Sequence, residues 1–344
     1  MDLVFTPDYD VVIIGSGPSA CAAAINCRKS GLSVLMVTDQ TANAAIDQLQ
    51  PAESIDSGII SLLDHLHAAK IIERSSVGKY AGIKISNSTN TTDDLINEHS
   101  TGYHINKTVF NKEFLQVAIH MQVAVLFNDK ITGIIEVSNS IIGVRTRSGQ
   151  EIIAKYTIDA SGKKRVAGNY LGLKEYFHSI PLVAWSGKVT AIKNKMFKNN
   201  LSTFIFNNNG WAWLAPESTD SCSFTCLSLK GKQIYSPPDQ LENWGTLHKI
   251  IKYNMRWRSF KTVTKEGLII CGDAGAIIDP AAGNGILNAI YSGIKAAETI
   301  ANCLAHPGTE LDCLDHYAKW FVNEYKIRVE KLKMYYSANQ IFVS

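Results

Sequence analysis

The 344-residue sequence predicts an α/β fold, in which a Rossmann-type βαβ domain is interleaved with an antiparallel-sheet domain and followed by C-terminal helices. Three stretches support this prediction. Residues 10–37 read as a buried strand, a glycine-rich turn, a helix and a second strand. Residues 180–229 are rich in β-branched and aromatic residues, as is typical of an antiparallel sheet. Residues 267–289 read as another strand, glycine-rich turn and helix start.

Composition and charge exclude several classes of function. The chain is 46% hydrophobic, enough for one large α/β core or two interleaved domains, and its net charge of +3 gives no basic surface for nucleic acid. It has no basic N-terminal region and no apolar run of ~18 residues, so we expect no signal peptide, no membrane span and a cytoplasmic location. The seven scattered cysteines predict reduced core thiols. Cys222 and Cys226 lack a second ligand pair, so no metal is expected.

The first glycine-rich turn has the sequence G-x-G-x-x-A over residues 15–20. Gly15 permits the tight turn, Gly17 lets the backbone approach a pyrophosphate, and Ala20 is small enough for the helix to pack on its strand. Strand, turn, helix and second strand together span about the ~30 residues of a dinucleotide-binding unit. The turn residues expected to bind the dinucleotide are Gly15, Gly17, Pro18, Ser19 and Ala20.

The second strand, residues 33–37, would normally end in an acidic residue that binds the ribose hydroxyls. Thr38 occupies this position and Asp39 follows it. Thr38 can hydrogen-bond a ribose, and Asp39 can take the role of the acid one residue later. Both are therefore candidates for the ribose contact.

The middle and C-terminal parts of the chain alternate between helical and strand-like patterns. Helical spacing predicts helices over 59–72, 107–123, 286–304 and 314–336. Alternation predicts a small antiparallel meander over 123–127, 131–137 and 141–147. Residues 86–92 are rich in Asn, Ser and Thr and read as a surface loop, and residues 156–158 return to the main sheet just before the run Asp159-Ala160-Ser161-Gly162.

The stretch Cys271–Ala289 is the most informative part of the sequence. Asp273 follows directly after a strand, an apolar arm ends at Asp279-Pro280, and a Gly-Asn-Gly turn opens a helix. Free backbone N–H groups and the helix dipole at such a helix start make a site for an anion or an electron-rich ring.

Together with the D-x-x-G run, these two turns resemble the FAD-binding superfamily that includes p-hydroxybenzoate hydroxylase, geranylgeranyl reductases and flavin-dependent halogenases. The resemblance implies FAD as cofactor, with ADP on the first turn, and the ribityl chain and flavin ring on residues 272–286. By this likeness Asp273 would bind ribityl or phosphate oxygens, and Pro280 would line the isoalloxazine ring. The downstream residues assigned to FAD in this way are Asp159, Gly162, Gly272, Asp273, Pro280, Gly283, Asn284, Gly285 and Ile286.

The same likeness divides the chain into domains. The FAD-binding domain would consist of residues 1–85, 100–175 and 262–305. The substrate domain would consist of residues 86–99 and 176–261, and residues 306–344 would form a C-terminal helical segment.

Trp211 and Trp213 lie two residues apart in a predicted strand, so they share a face and would form one indole wall. The wall is either sheet core or a partition between flavin and substrate, and both residues are candidates for the substrate site. The surrounding Gly210–Pro216 run resembles the G-W-x-W-x-I-P signature of flavin-dependent halogenases, with Ala215 in place of Ile. It also resembles the G-W/Y-x-W-x-x-P run of geranylgeranyl reductases.

Two further segments resemble halogenase-like proteins. Residues 51–54 stand where those proteins have a G-E-S turn near the flavin, which makes Glu53 the candidate for proton transfer. Residues 102–115 resemble their G-x-x-x-D-R-x-x-F-D-x-x-L segment, with Asn106 in place of the Asp and Lys107 in place of the arginine that approaches FAD. A lysine retains a phosphate contact as a point charge but cannot make a bidentate one.

Other ionisable residues have competing interpretations. Lys79 lies near the position of the lysine that halogenation requires, and a solvated lysine is the alternative. His104 and His178 are either bases or structural histidines. The aromatic and basic tail that ends at Tyr335 and Tyr336 is similar to that of LodB-like flavoproteins, which modify a tryptophan of a partner oxidase; an ordinary surface helix is the alternative. In the LodB-like interpretation, truncation at these tyrosines abolishes partner binding.

The sequence therefore predicts an oxidoreductase of the tryptophan-halogenase-like or LodB-like branch. The expected reaction is FAD-dependent monooxygenation through a flavin C4a-hydroperoxide, on an aromatic group of a small molecule or of a peptide or protein. The Ala-Ala-Gly-Asn-Gly run after Pro280 resembles hydroxylases more than halogenases. The alternatives are a flavin-dependent halogenase, a geranylgeranyl-reductase-like enzyme acting on a double bond, and a non-catalytic flavoprotein binding module. No NAD(P)H-binding motif is found, which leaves a separate flavin reductase or transient nicotinamide binding as the electron source.

Overall fold

The computed structural model describes residues 6–42, 45–87, 95–97, 99–192, 200–207, 210–229, 245–248 and 250–338. Its helices are α1 Pro18–Lys29, α2 Ile59–His65, α3 Lys70–Ser75, α4 Lys107–His120, α5 Val166–Tyr170, α6 Gly285–Ala305 and α7 Glu310–Ala338. Its strands are β1 Tyr9–Ile14, β2 Val34–Val37, β3 Glu53–Asp56, β4 Ser76–Tyr80, β5 Gly82–Asn87, β6 Leu95–Asn97, β7 Gly102–Ile105, β8 Ala124–Leu126, β9 Ile131–Val137, β10 Ser140–Thr146, β11 Glu151–Asp159, β12 Glu175–Phe177, β13 Leu182–Thr190, β14 Leu201–Asn207, β15 Gly210–Pro216, β16 Ser221–Leu229, β17 Thr246–Leu247, β18 Ile251–Asn254, β19 Arg258–Phe260, β20 Thr264–Lys265, β21 Leu268–Ile270 and β22 Ala276–Ile277.

The first large sheet has the strand order β20-β21-β11-β1-β2-β8, with β10 and β9 added beside β11. The central neighbours β21, β11, β1, β2 and β8 run parallel. Residues 11–14 of β1 are all buried and apolar, as expected for a parallel strand covered on both faces. The predicted Rossmann-type sheet is therefore confirmed.

Two local predictions need correction. The predicted meander is formed by β9, β10 and β11, whereas β8 pairs parallel to β2. Helix α4 returns the chain across the sheet, so the strand after it joins the parallel set. The helix predicted over 59–72 is divided into α2 and α3, because His67 between them has a left-handed φ of 56°. Within the predicted loop at 86–92, residues 88–92 lie outside the described residues.

The second large sheet has the order β17-β13-β16-β15-β14-β5-β6, with β18 also beside β13. Its pairs are antiparallel except for β5 with β14, so the antiparallel sheet predicted over 180–229 is confirmed. A buried cluster under this sheet includes Trp211, Trp257 and Phe204, and Tyr325 and Tyr336 of α7 also belong to it.

Helix α7 connects the two halves of the molecule. Its first part packs Tyr317 and Phe321 into the core of the parallel sheet, and its last part packs Tyr325 and Tyr336 under the antiparallel sheet. Two further sheets of three strands each have the strand orders β3-β7-β4 and β12-β19-β22. Across the described ranges, no helix has the length and apolar character needed to cross a membrane.

Candidate functional site

The first glycine-rich turn leaves room for a ligand in front of α1. Gly15 has a φ of +110°, and a Cβ there would lie 2.7 Å from the Ala160 carbonyl oxygen, so only glycine fits. Gly17 is the N-cap of α1 and has nothing within 4 Å of its Cβ position. No side chain caps the helix, and Pro18 begins it. The free N–H groups of the first turn can therefore receive a phosphate.

The residues around this turn divide between packing and binding. Ala20 is fully buried, as its predicted packing role requires. Ser19 is 5% exposed and lies under the loop at Gly272, where a Cβ would meet its Oγ at 2.8 Å. The Gly272 N–H donates to Ser292 Oγ at 2.9 Å. The Ser19 side chain and Gly272 thus bring the two glycine-rich turns into contact, while the backbone N–H groups of Ser19 and Ala20 belong to the uncapped first turn of α1.

At the end of β2, Thr38 is enclosed and Asp39 is accessible. The Thr38 hydroxyl is 2.8 Å from Ser16 Oγ and accepts from the Gln40 N–H, and the residue is only 3% exposed. These internal bonds and the low exposure disfavour the ribose contact predicted for Thr38, which stays a prediction. Asp39 forms an ion pair with Lys164 beside the D-x-x-G turn. The ribose contact predicted for Asp39 stays a prediction.

The Asp159 carboxylate is turned inward. Asp159 is fully buried, and its oxygens accept the backbone N–H groups of Ser161 at 3.0 Å and Ala167 at 2.7 Å. Burial raises its pKa. These bonds favour a structural role for the Asp159 side chain, and a direct contact with FAD stays a prediction. Gly162, which Asp159 positions, has a φ of +63° and an open Cβ direction.

The flavin loop, which we define as residues 272–286, combines a free carboxylate with an uncapped helix. Among the described residues, none donates a hydrogen bond to the Asp273 carboxylate. Burial raises the pKa of Asp273, and the ammonium groups of Lys107 and Lys163 lower it. Gly283 and Gly285 have open Cβ directions, and no side chain caps α6 at Asn284. These features fit the ribityl hydroxyls and the ring of FAD, while Ile286 is buried at the first turn of α6.

Asp279 fixes the shape of the flavin loop before Pro280. Its Oδ1 accepts the Ala281 N–H at 2.8 Å, and its Oδ2 accepts the Tyr336 hydroxyl at 2.6 Å. The Trp257 indole N–H lies 3.3 Å from the same Oδ2. Burial raises the pKa of Asp279 to about 6, against the effect of these donors. Pro280 itself is exposed at the start of the following 3₁₀ turn.

Glu53 and Lys107 form an ion pair at the edge of the site. Lys107 Nζ lies 2.7 Å from Glu53 Oε1, and the side chains are 45% and 41% exposed. The Glu53 carboxylate raises the pKa of Lys107. Asn106, which replaces the aspartate of related proteins, caps α4 by accepting the N–H groups of Thr108 and Val109. Asparagine is equally suited to this capping role.

A buried ion pair that the sequence pattern did not reveal holds the segment before Glu53. Lys188 Nζ lies 2.7 Å from Glu217 Oε2, and both side chains are largely buried. Ser223 Oγ donates to Glu217 and accepts the Ala52 N–H at 2.7 Å. These residues lie on the antiparallel sheet, far from Glu53 in sequence, and no spacing rule connects them.

Trp211 and Trp213 share one face of the sheet, as predicted. Their rings lie 5.2 and 6.0 Å from the ring of Phe204. Trp211 is 4% exposed and donates to the Tyr336 hydroxyl at 2.6 Å. Trp213 is half-buried and donates to Ser54 Oγ at 2.8 Å. We call the rings of Phe204, Trp211 and Trp213 the indole wall.

Lys79 does not face the indole wall. It is exposed, with Nζ 5.5 Å from the centre of the Tyr103 ring. Its neighbour Tyr80 points to the opposite face of β4, and it is Tyr80 that packs edge-on against Trp213 at 6.3 Å. Successive residues of a strand face opposite sides. This placement favours the solvated lysine over the catalytic one, and the catalytic role of Lys79 stays a prediction.

His104, His178 and Tyr336 of the tail all make their contacts within the chain. His104 is fully buried between Ser54 and Ser202, and burial lowers its pKa to about 4. His178 hydrogen-bonds Ser259 Oγ and packs on Tyr325. Tyr336 is 1% exposed and internally bonded, so it presents no surface to a partner, whereas Tyr335 is 38% exposed.

All seven cysteines are unpaired and six are buried. Within the ranges that the structure describes, no group of three or more His, Cys, Asp or Glu side chains could hold a metal ion.

This chain resembles known flavoproteins in sequence and in structure. Residues 10–168 match the family of FAD dependent oxidoreductases. Digeranylgeranylglycerophospholipid reductase 1 of Methanococcoides burtonii is 22% identical over 331 residues, which cover 90% of this chain and 79% of that protein. The structure of the flavin-dependent brominase Bmp2 has a TM-score of 0.84 at 19% identity, covering 96% of this chain and 88% of that one.

The peptidyl tryptophan dihydroxylase QhpG has a TM-score of 0.69 at 16% identity, covering 96% of this chain and 74% of that one. These likenesses confirm the fold predicted for the chain. The match over residues 10–168 and the likeness to flavoproteins along the rest of the chain indicate FAD as its cofactor.

Proposed function

We propose that this flavoprotein is a monooxygenase that hydroxylates an aromatic group, either of a small molecule or of a residue in a peptide or protein. The observation that carries the proposal is an apolar cluster shared by the antiparallel sheet and the flavin loop. Trp213 and Tyr253, both half-buried, pack against the same buried cluster as Ile278 and Ala281 of that loop. A site of this kind binds a flat apolar group and excludes water.

The residues that would hold FAD are distributed around this cluster. The N–H groups of α1 at Gly17 and the ammonium of Lys107 suit the phosphates, Asp273 suits the ribityl hydroxyls, and the start of α6 suits the ring. When reduced, the bound flavin supplies the activation of oxygen for transfer to the substrate. The positive end of α6 stabilises negative charge that develops beside it.

The chain itself contributes positioning and proton transfer. The indole wall orients an aromatic group and keeps water away from it. Glu53 lies at the edge of the site with Oε1 paired to Lys107, so its carboxylate can accept a proton from the substrate and return it to solvent. No other side chain is needed, since flavin hydroxylation depends chiefly on position and exclusion of water.

Halogenation is the second candidate, and the likeness to the brominase favours it. The placement of Lys79 argues against it, because this lysine points away from the indole wall. Reduction of a double bond is the third candidate, favoured by the likeness to the reductase of Methanococcoides burtonii. That reaction needs no oxygen, so oxygen dependence separates it from the other two.

The proposal can be tested by reducing the FAD-loaded protein without oxygen and then mixing it rapidly with oxygen, with and without bromide. A monooxygenase gives a transient absorbance, distinct from oxidised and reduced flavin, that decays at a rate independent of bromide. Decay accelerated by bromide would indicate a halogenase. Reoxidation with no transient would contradict the proposal and favour a reductase or a structural flavin.

Two variants control this experiment. Trp213→Phe removes part of the indole wall and should shorten the transient, with more hydrogen peroxide released. Trp320→Phe changes a tryptophan that packs on Tyr291 and Tyr317 instead, and should leave the transient as in the wild type.

We propose further that a separate flavin reductase supplies the electrons. NADPH alone should then reduce the bound flavin slowly, and addition of a flavin reductase with free flavin should accelerate turnover. Rapid reduction by NADPH alone would refute this part.

A further inference from the structure

A chain of hydrogen bonds joins the indole wall to the small sheet β3-β7-β4. Trp213 Nε1–H donates to Ser54 Oγ at 2.8 Å, and Ser54 Oγ lies 2.9 Å from His104 Nδ1. On its other side, His104 Nε2 lies 3.1 Å from Ser202 Oγ. His104 and Ser202 are both fully buried, while Trp213 is half-buried. The His104 and Ser202 end of this chain is therefore closed to solvent, whereas Ser54 and Trp213 are half-buried.

The chemistry of the four groups fixes the direction of the first bond and allows one direction along the whole chain. An indole N–H can only donate, so Ser54 Oγ accepts from Trp213 and is free to donate its own proton to His104 Nδ1. In the tautomer that accepts this proton at Nδ1, the imidazole proton lies on Nε2 and is donated to Ser202. This arrangement requires a neutral imidazole, because an imidazolium would present a second N–H donor to Ser54 and displace its donated bond.

The four residues come from four strands in two sheets. Ser54 lies on β3, His104 on β7, Ser202 on β14 and Trp213 on β15. Ser54 directly follows Glu53, so the same hydrogen bonds that hold the indole also fix the strand that carries the candidate proton-transfer residue. Tyr80 adds to this packing, since it stacks on His104 at 5.1 Å and contacts Trp213 edge-on at 6.3 Å.

We propose that Ser54, His104 and Ser202 are positioning residues that lock the Trp213 indole in one orientation beside the flavin loop. The Trp213 indole N–H already donates to Ser54, so the indole wall offers the substrate only an aromatic surface and no hydrogen-bond donor. The site therefore selects a flat, apolar or aromatic group at this position. The lock is a property of the folded chain, whereas its effect on the substrate rests on the proposed function.

The lock can be tested without substrate, by NMR of the FAD-loaded protein with ¹⁵N-labelled indoles. The chain has six tryptophans, and Trp213→Phe identifies the Trp213 signal by its loss. Ser54→Ala should shift that signal upfield and speed its exchange with solvent. Ser202→Ala removes only the far end of the chain, so it should move the signal less, in the same direction.

The Trp211 signal is the internal control, because that indole is held separately by Tyr336. An unchanged Trp213 signal in Ser202→Ala and in folded Ser54→Ala would overturn the lock. Equal shifts of the Trp211 and Trp213 signals would also overturn it, because they would indicate a general loosening of the sheet.

A kinetic experiment tests the consequence for the substrate. With an aromatic substrate, Ser54→Ala should raise KM on the order of tenfold, the effect of about 1.4 kcal/mol, while the FAD absorbance spectrum stays that of the wild type. In a Trp213→Phe background, Ser54→Ala should change KM no further. A further tenfold rise in that background would overturn the positioning role. Failure of every variant and of the wild type to show an oxygen-dependent transient would instead refute the proposed function and leave the NMR result standing.

Discussion

Replacement of Tyr336 by phenylalanine tests how α7 holds the flavin loop. The Tyr336 hydroxyl donates to Asp279 Oδ2 and accepts from the Trp211 indole, each at 2.6 Å. Tyr336→Phe keeps the ring and removes both hydrogen bonds. A bond to a charged acceptor contributes about 1.5–3 kcal/mol, and an unpaired buried N–H costs about 1–3 kcal/mol. We expect a loss of roughly 3–5 kcal/mol in the free energy of unfolding at pH 8.

The loss should depend on pH. Burial raises the pKa of Asp279 from 3.8 to about 6, so Asp279 stabilises the folded state more below pH 4, and this contribution is lost as the pH rises through 6. The Tyr336 hydroxyl lowers this pKa, so its removal raises it further. At pH 5 the carboxyl group is largely protonated, and the bond lost is then one between neutral groups, worth about 1 kcal/mol. Destabilisation should therefore be clearly smaller at pH 5 than at pH 8.

The assay is urea unfolding of the FAD-loaded protein at pH 5 and pH 8. Tyr325→Phe is the matched control, because it lies on the same helix and donates to the neutral Ile277 carbonyl of the flavin loop at 3.0 Å. It should cost about 1 kcal/mol at both pH values. If Tyr336→Phe destabilises the protein equally at pH 5 and pH 8, the assigned interaction with ionised Asp279 is wrong.

Three further predictions concern the FAD site and its edge. The Cβ added by Gly17→Ala meets open space, so the free energy of unfolding of the FAD-free protein should stay unchanged while FAD affinity, measured by calorimetry, falls roughly tenfold. Gly133→Ala on β9 is the control and should change neither quantity. Wild-type FAD affinity in Gly17→Ala would refute the phosphate site at this turn. Lys107→Met should weaken FAD binding about tenfold, whereas Lys107→Arg should bind FAD about as tightly as the wild type. Wild-type affinity in Lys107→Met would show that the ammonium makes no phosphate contact. Lys79→Met should leave flavin content and turnover unchanged, and a large loss of turnover would restore the halogenase-type role of this lysine.

The sequence predicted what depends on local pattern. The turn at residues 15–20 and the Gly-Asn-Gly helix start are short motifs, and their glycines are required by backbone geometry that neighbouring residues define. The shared face of Trp211 and Trp213 follows from strand periodicity alone.

Side-chain direction across long sequence distances could not be read in the same way. Asp159 turns inward because backbone N–H groups of the following turn reach it, and Lys79 turns away because β4 exposes that face. The tail pattern predicted a surface role for Tyr336, but the packing of α7 buries this residue against Asp279 and Trp211. Each outcome depends on tertiary packing, which no residue spacing encodes.

The central claim is that the flavin ring lies between the flavin loop and the indole wall. A tryptophan beside a flavin ring quenches flavin fluorescence by electron transfer, so the fluorescence lifetime of bound FAD reports the distance directly. We predict a longer lifetime in Trp213→Phe than in the wild type, and a wild-type lifetime in Trp320→Phe. An unchanged lifetime in Trp213→Phe would contradict the placement of the ring, and with it the aromatic site on which the proposed function depends.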